Sequence, residues 1–266
     1  MKIGFLQFYP KFKDIEANLS KIERMISEHN EDMDLLVLPE MCTTGYSFKT
    51  KKEILELCAP FEEGKEIPFF ERLAKEKNIN IVAGLPEIVD DKVYNSAILV
   101  SRKEGFIGKY RKIQLFMWEK FVFSPGDLPL QVWSIEGVKI GIMICFDWYF
   151  PEVMRTLMLK GAQIVAHPSN LVLPYCQRVM PCRSLENRVF AITANRVGTE
   201  KNIEGKETRF TGRSIITDPE GNILVEANET EETLKTVEID PELALNKKIT
   251  PFNHAIKDRR EDLYFK

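Results

Sequence analysis

The chain runs through short apolar blocks that alternate with segments of helical spacing. Residues 3–8 form an apolar strand. Ile15, Leu19, Ile22 and Ile26 then recur at intervals of four, three and four, one face of a helix that Asp14 can cap. A buried strand over 35–38 stops at Pro39-Glu40, a helix follows over 67–77, and a strand over 79–83. Residues 93–100 and 106–107 predict a hairpin with Lys103-Glu104-Gly105 as its turn. A strand over 138–144 leads to a helix over 151–160, with Pro151 at its first position and Gly161 just beyond its end. Further strands are predicted at 162–166, 189–194, 213–217, 223–227 and 233–239, and a helix at 175–188.

No composition break, low-complexity run or internal repeat divides the 266 residues. The expectation is therefore one domain, 1–266, of layered α/β type. The tail from about 250 to 266 is charged with embedded aromatics. It reads either as a solvated end or as a segment packing on a second subunit, because Leu263, Tyr264 and Phe265 need burial.

Apolar residues make up 44% and charged residues 29%, which excludes disordered and fibrous classes. Thirty-seven basic against forty acidic side chains leave no positive excess for nucleic acid or an anionic membrane. No apolar run reaches the roughly 18–20 residues that span a bilayer, and the N-terminus does not read as a signal peptide. The expectation is a soluble, cytoplasmic protein. The five cysteines are odd in number and none has CxxC spacing, so neither a disulfide framework nor a metal site is suggested.

Three segments carry candidate chemistry. In the first, a buried strand runs straight into Cys145, and a helix opens a few residues later at Pro151. A thiol at the carboxyl end of a strand sits where α/β proteins place ligands, and nearby helix N–H groups favour a thiolate. The alternative is a small apolar residue in a core strand. In the second, an apolar strand ends on Glu40, where desolvation makes a carboxylate a usable general base; a salt-bridging Glu at the sheet edge is the alternative. In the third, Lys109, Arg111 and Lys112 precede apolar residues. A lysine beside a thiol and a carboxylate stabilises an oxyanion, whereas an isolated basic cluster is a solvated turn. Glu119 follows Lys112 by seven residues and alone would pass as a surface carboxylate. Of His29, His167 and His254, His167 ends a strand and reads as a structural neighbour of the site rather than its base. Without GxSxG, GxGxxG, P-loop or HExxH, a thiol nucleophile here needs a carboxylate base.

Taken together these segments resemble the carbon–nitrogen hydrolase, or nitrilase, superfamily. Leu38-Pro39-Glu40, Tyr110-Arg111-Lys112 and Ile144-Cys145-Phe146-Asp147 with Phe150-Pro151-Glu152 stand in that family's order and approximate spacing. Thr44-Gly45-Tyr46, Phe123-Ser124-Pro125-Gly126-Asp127, His167-Pro168-Ser169-Asn170, Arg183-Ser184-Leu185-Glu186-Asn187-Arg188 and Asn195-Arg196-Val197-Gly198 extend the match across nearly the whole chain. The resemblance implies a four-layer α-β-β-α sandwich and a Glu–Lys–Cys triad. Glu40 would be the general base, Cys145 the nucleophile and Lys112 the stabiliser of the tetrahedral intermediate. Glu119 matches a supporting carboxylate, and the backbone N–H of Phe146 would complete the oxyanion hole. Gln114 stands where many members carry His. The family commonly forms dimers and larger assemblies, in keeping with the aromatic tail.

The function this implies is hydrolysis of a small amide or carbamoyl compound through a Cys acyl-enzyme, with ammonia or an amine released and no cofactor or metal required. Nitrile hydrolysis is the closest alternative. Family nitrilases usually carry Trp-Glu after the nucleophile, and Phe146-Asp147 resembles the amidase branches instead. A catalytically silent relative that binds a metabolite or partner is a further alternative, against which the intact Glu40, Lys112 and Cys145 argue. Tyr46, Phe116, Trp148 and Asn170 stand beside the motifs and are candidate pocket walls, with core packing the alternative for the aromatics.

Overall fold

The computed structural model describes residues 1–201 and 203–264. In chain order the first half holds β1 (Lys2–Gln7), α1 (Ile15–Glu28), β2 (Leu35–Val37), α2 (Lys51–Leu57), α3 (Glu66–Lys77), β3 (Asn80–Val89), β4 (Lys92–Ser101), β5 (Gly105–Arg111) and α4 (Glu119–Val122). The second half holds β6 (Val132–Ile135), β7 (Val138–Ile142), a 3-10 turn (Cys145–Tyr149), α5 (Pro151–Leu159), β8 (Ile164–Pro168), α6 (Cys176–Asn187) and β9 (Phe190–Ala194). The short ribbon β10 (Thr199–Lys201) and β11 (Glu207–Arg209) follows, then β12 (Ile215–Thr217), β13 (Ile223–Glu226) and β14 (Thr233–Glu238).

These strands build two six-stranded sheets, ordered β14-β1-β2-β3-β4-β5 and β13-β12-β9-β8-β7-β6. The central strands pair in parallel: β1 with β2, β2 with β3, β7 with β8 and β8 with β9. Antiparallel hairpins flank them. Ile3, Phe5, Leu35, Val37 and Leu99 of the first sheet share a core with Ile140, Ile142, Ile164 and Ile192 of the second. The outward residues Leu6, Leu36, Ile81 and Ile98 pack instead with Leu19, Ile22, Phe70 and Leu73 of α1 and α3. Helices α5 and α6 cover the other sheet, placing Val153, Leu157 and Met180 in the core. The result is the expected α-β-β-α sandwich. Strands covered on both faces read as continuous apolar runs rather than alternating ones.

Local chemistry accounts for most boundaries. Asp14 caps α1 by accepting the Ala17 N–H at 3.1 Å, and α3 ends on Asn78 in the left-handed region. Two of the boundaries that differ from expectation have a plain cause. Strand β3 runs on to Val89 through Gly84 and Pro86, because it continues as a long hairpin with β4 after its parallel stretch ends. Strand β7 stops at Ile142, not 144, because Cys145 has φ 43° and cannot extend a strand. On the single chain the tail side chains Phe252, Leu263 and Tyr264 are exposed; Phe265 lies outside the described residues.

Candidate active site

Glu40, Lys112 and Cys145 each follow the carboxyl end of a strand, the first two on one sheet and the thiol on the other. All three are buried. Pro39 ends β2, and Glu40 sits against β3 so closely that a Cβ on Gly84 would stand 2.5 Å from the Glu40 Cα. Glycine there is a packing requirement. Lys112 follows β5. Its N–H donates to Asn95 O and its carbonyl accepts from Gly126 N, both at 2.8 Å. The neighbouring Arg111 guanidinium donates to both Glu87 oxygens, at 3.0 and 2.6 Å, and to Asp127 at 2.6 Å, and so ties the Ser124–Asp127 turn to the strand end.

The Lys112 ammonium donates to Glu40 Oε1 and to Glu119 Oε1, each at 2.7 Å. Asn95, an amide inside the apolar run of β4, donates to the same Glu40 oxygen at 2.6 Å. Glu119, at the start of α4, also accepts the Tyr46 hydroxyl at 2.7 Å and, through Oε2, the Phe116 N–H at 2.7 Å. One ammonium is thus clamped between two carboxylates. Burial opposes the Lys112 charge, but Glu119 and Glu40 outweigh it and hold Lys112 well above the usual lysine range. Burial pushes Glu40 up to about 7, against the pull of Lys112. Its second oxygen, Oε2, is buried and takes no hydrogen bond from the described residues.

Cys145 opens the 3-10 turn in left-handed backbone geometry, a strained position for a residue with a Cβ. Burial first, then the Glu40 charge, raise its thiol well above the ordinary cysteine range, while Lys112 and the Asn170 backbone N–H favour the thiolate. Both carboxylates and the ammonium therefore lie within electrostatic reach of the sulfur. The turn is anchored by Asp147, fully buried. Its Oδ2 accepts the Tyr110 hydroxyl and the Ile144 N–H, each at 2.8 Å, and its Oδ1 accepts the Gln114 N–H at 3.2 Å. Asp147 thereby joins the turn that carries the thiol to the residues on either side of Lys112. Burial lifts its carboxyl to about 6.

His167 donates from Nε2 to the Cys145 carbonyl oxygen at 2.9 Å, and burial lowers its pKa to about 4. It supports the backbone and faces away from any role as a base. The N–H of Phe146, in the first turn of a helix, belongs to the donors such an end leaves without intrahelical partners.

Two cavities adjoin at this centre. A cleft of about 20 Å³ is lined by Cys145, Phe146, Trp148 and Asn170. A cavity of about 190 Å³ is lined by Tyr46, Ser47, Met117, Trp118, Glu119 and Ile203. Phe116 and Val172 line both. Every side chain expected as a pocket wall is therefore at one of them. Both amide atoms of Asn170 are buried and have no hydrogen-bond partner among the described residues. Sequence reasoning missed Asn95 and the anchoring role of Asp147. The signal for Asn95 was a polar pair, Asn95-Ser96, inside an otherwise apolar strand. The walls Met117, Trp118, Val172 and Ile203 lie on loops whose course no periodicity reveals.

Two sheets face to face between helical layers, with a thiol from one sheet meeting a carboxylate and an ammonium from the other, define a protein of the nitrilase superfamily. The sequence model for carbon-nitrogen hydrolases matches residues 2–247, and the chain belongs to that family. Over its full length, and the full length of the relative, it is 46% identical to a nitrilase of Pyrococcus abyssi. It is 32% identical to an (R)-stereoselective amidase of a Pseudomonas species, over 90% of this chain and 85% of that one. A carbon-nitrogen hydrolase from Helicobacter pylori superposes with a TM-score of 0.86 at 28% identity, covering 99% of this chain and 97% of that chain. An amidase from Nesterenkonia superposes with a TM-score of 0.78 at 25% identity, covering 99% and 94%.

Proposed function

We propose that the protein hydrolyses a small amide through an acyl-enzyme on Cys145, with Glu40 as base and Lys112 as oxyanion donor. The observation that carries this reading is the Lys112 ammonium held at 2.7 Å by both Glu40 and Glu119 beside a buried thiol. An ammonium has three donors. Two are engaged by the carboxylates and the third serves the oxyanion.

In the first half-reaction Glu40 takes the thiol proton as sulfur attacks the carbonyl carbon. The charge that develops on oxygen is met by Lys112 and the Phe146 N–H. The C–N bond breaks, Glu40 returns the proton to the departing nitrogen, and ammonia or an amine leaves. In the second half-reaction Glu40 takes a proton from water, hydroxide adds to the thioester, and the acid departs as the thiol is reprotonated. Tyr46 and Glu119 hold Lys112 in place throughout. The Asn170 amide, which has no partner among the described residues, would bind the substrate's polar group.

The 46% identity to a nitrilase favours a second reading on the same residues, in which sulfur adds to a nitrile carbon. Hydration of the resulting thioimidate and loss of ammonia then lead to the same acyl-enzyme. The amide reading is preferred because Phe146-Asp147 follows the thiol, the pattern that resembles the amidase branches. The deciding assay is ammonia release from butyramide beside butyronitrile, for the wild-type protein and Cys145→Ala. Release that survives in the alanine variant would sink both readings.

A further inference from the structure

The two cavities also speak to the substrate's acyl group, on the reading that this is a carbon–nitrogen hydrolase site. Among the described residues lining them, Glu119 is the one charged side chain. Its oxygens are taken by Lys112, Tyr46 and the Phe116 N–H. Its charge is already paired with the Lys112 ammonium. Apart from the Asn170 amide at the Cys145 cleft, the remaining walls are uncharged and mostly apolar, with Phe116, Val172 and Ile203 representative. The buried Arg196 is bound to Glu200 and lines neither cavity. Beyond Val172 a separate cavity holds Arg209 and Arg213, which pair with Glu229 and Glu226.

A carboxylate or ammonium carried into the larger cavity loses its hydration and meets no unpaired counter-charge among the described lining residues. The penalty is several kcal/mol per ion, enough for a factor of about 10² or more in binding. An aliphatic or aromatic chain gains from every apolar contact.

We propose that the site selects substrates with an uncharged, predominantly apolar acyl group, and discriminates against amides or nitriles bearing a short ω-carboxylate or ω-ammonium. The Cys145 cleft receives the reacting carbon, and the larger cavity beside Tyr46, Phe116 and Val172 receives the rest of the chain. Selectivity thus comes from the lack of an unpaired counter-charge among the described lining residues, with the wall chemistry supplying the attraction.

The test compares butyramide, succinamate and 4-aminobutyramide, which share a four-carbon chain and differ in terminal charge. The expected kcat/KM for butyramide exceeds that for either charged amide by about 10²-fold. Val172→Lys, which adds a cation at the junction of the cavities, is expected to raise the succinamate-to-butyramide ratio at least about tenfold. Equal or faster turnover of a charged amide by the wild-type protein overturns the proposal. Calorimetry on Cys145→Ala separates this from the hydrolase reading. Tighter binding of butyramide than succinamate supports the selectivity even if the wild-type protein releases no ammonia, an outcome that removes the hydrolase reading alone. Equal binding of the two removes the selectivity, even if turnover establishes the hydrolase.

Discussion

Asp147→Asn probes how the thiol-bearing turn is fastened to the ammonium-bearing loop. The carboxylate meets three donors: Tyr110 OH and Ile144 N–H on Oδ2, and Gln114 N–H on Oδ1. Asparagine can keep the first two on its oxygen, but then turns its NH2 toward the Gln114 N–H. Losing a charge-assisted bond and opposing two donors costs about 2–3 kcal/mol. The carboxylate carries a cost of its own, because burial raises it from the ordinary 3.8 to about 6. Between those values the folded protein keeps a proton that the unfolded chain has released. Wild-type stability therefore falls as pH rises through that window and levels off above it. Roughly two units at 1.36 kcal/mol each amount to about 3 kcal/mol. Asparagine has no such slope. The stability of wild type relative to the variant should thus fall by about 3 kcal/mol between pH 4 and pH 8. Urea melts across this range read the difference directly. Parallel stability curves for the two proteins would refute the reasoning, as would a gap that widens with pH. Activity should separate from stability: kcat near pH 8 falls by roughly 10–10² through misplacement of the sulfur, with KM little changed.

Three further outcomes follow from the same geometry. The pH profile of kcat/KM should rise through about 7, because Glu40 must be ionised to accept the thiol proton; a rate independent of pH from about 5 to 9 would count against Glu40 as base. Lys112→Met should lower kcat by at least about 10²–10³ and destabilise the fold by about 3–5 kcal/mol, since it leaves Glu40 and Glu119 buried together without a counter-charge; rates and urea melts check both figures. Gly84→Ala should cost about 1–3 kcal/mol and displace Glu40, because the added Cβ would fall 2.5 Å from its Cα; a fully active variant with unchanged melting would show that the strands can part at no cost.

The parts of the fold that were legible in the sequence are those fixed by local spacing. The stripe Ile15, Leu19, Ile22 and Ile26 and its Asp14 cap define α1, and Pro151 and Gly161 bracket α5. Helix α2 went unread although Thr50 and Glu53 form a capping box, because its seven residues bury one side chain, Ile54. The pairing of two sheets came from resemblance: doubly covered strands such as β1 and β8 carry no alternation to say which face meets which layer. At the site, Glu40, Lys112 and Cys145 stood out because polar chemistry at the end of an apolar strand is costly. Asn95 and Asp147 carry the same cost but were hidden by their neighbours, one inside an apolar strand and the other two residues beyond Cys145. The residues of the larger cavity come from separate loops, and only closure of the chain brings them together.

Because Glu40 and Lys112 belong to one sheet and Cys145 to the other, the reactive centre exists only when the two halves are docked. A chain emerging from synthesis, or one partly opened, carries five ordinary thiols and no poised one. On the proposed mechanism, activity requires that this interface has closed, and the rate of ammonia release during refolding would report that closure.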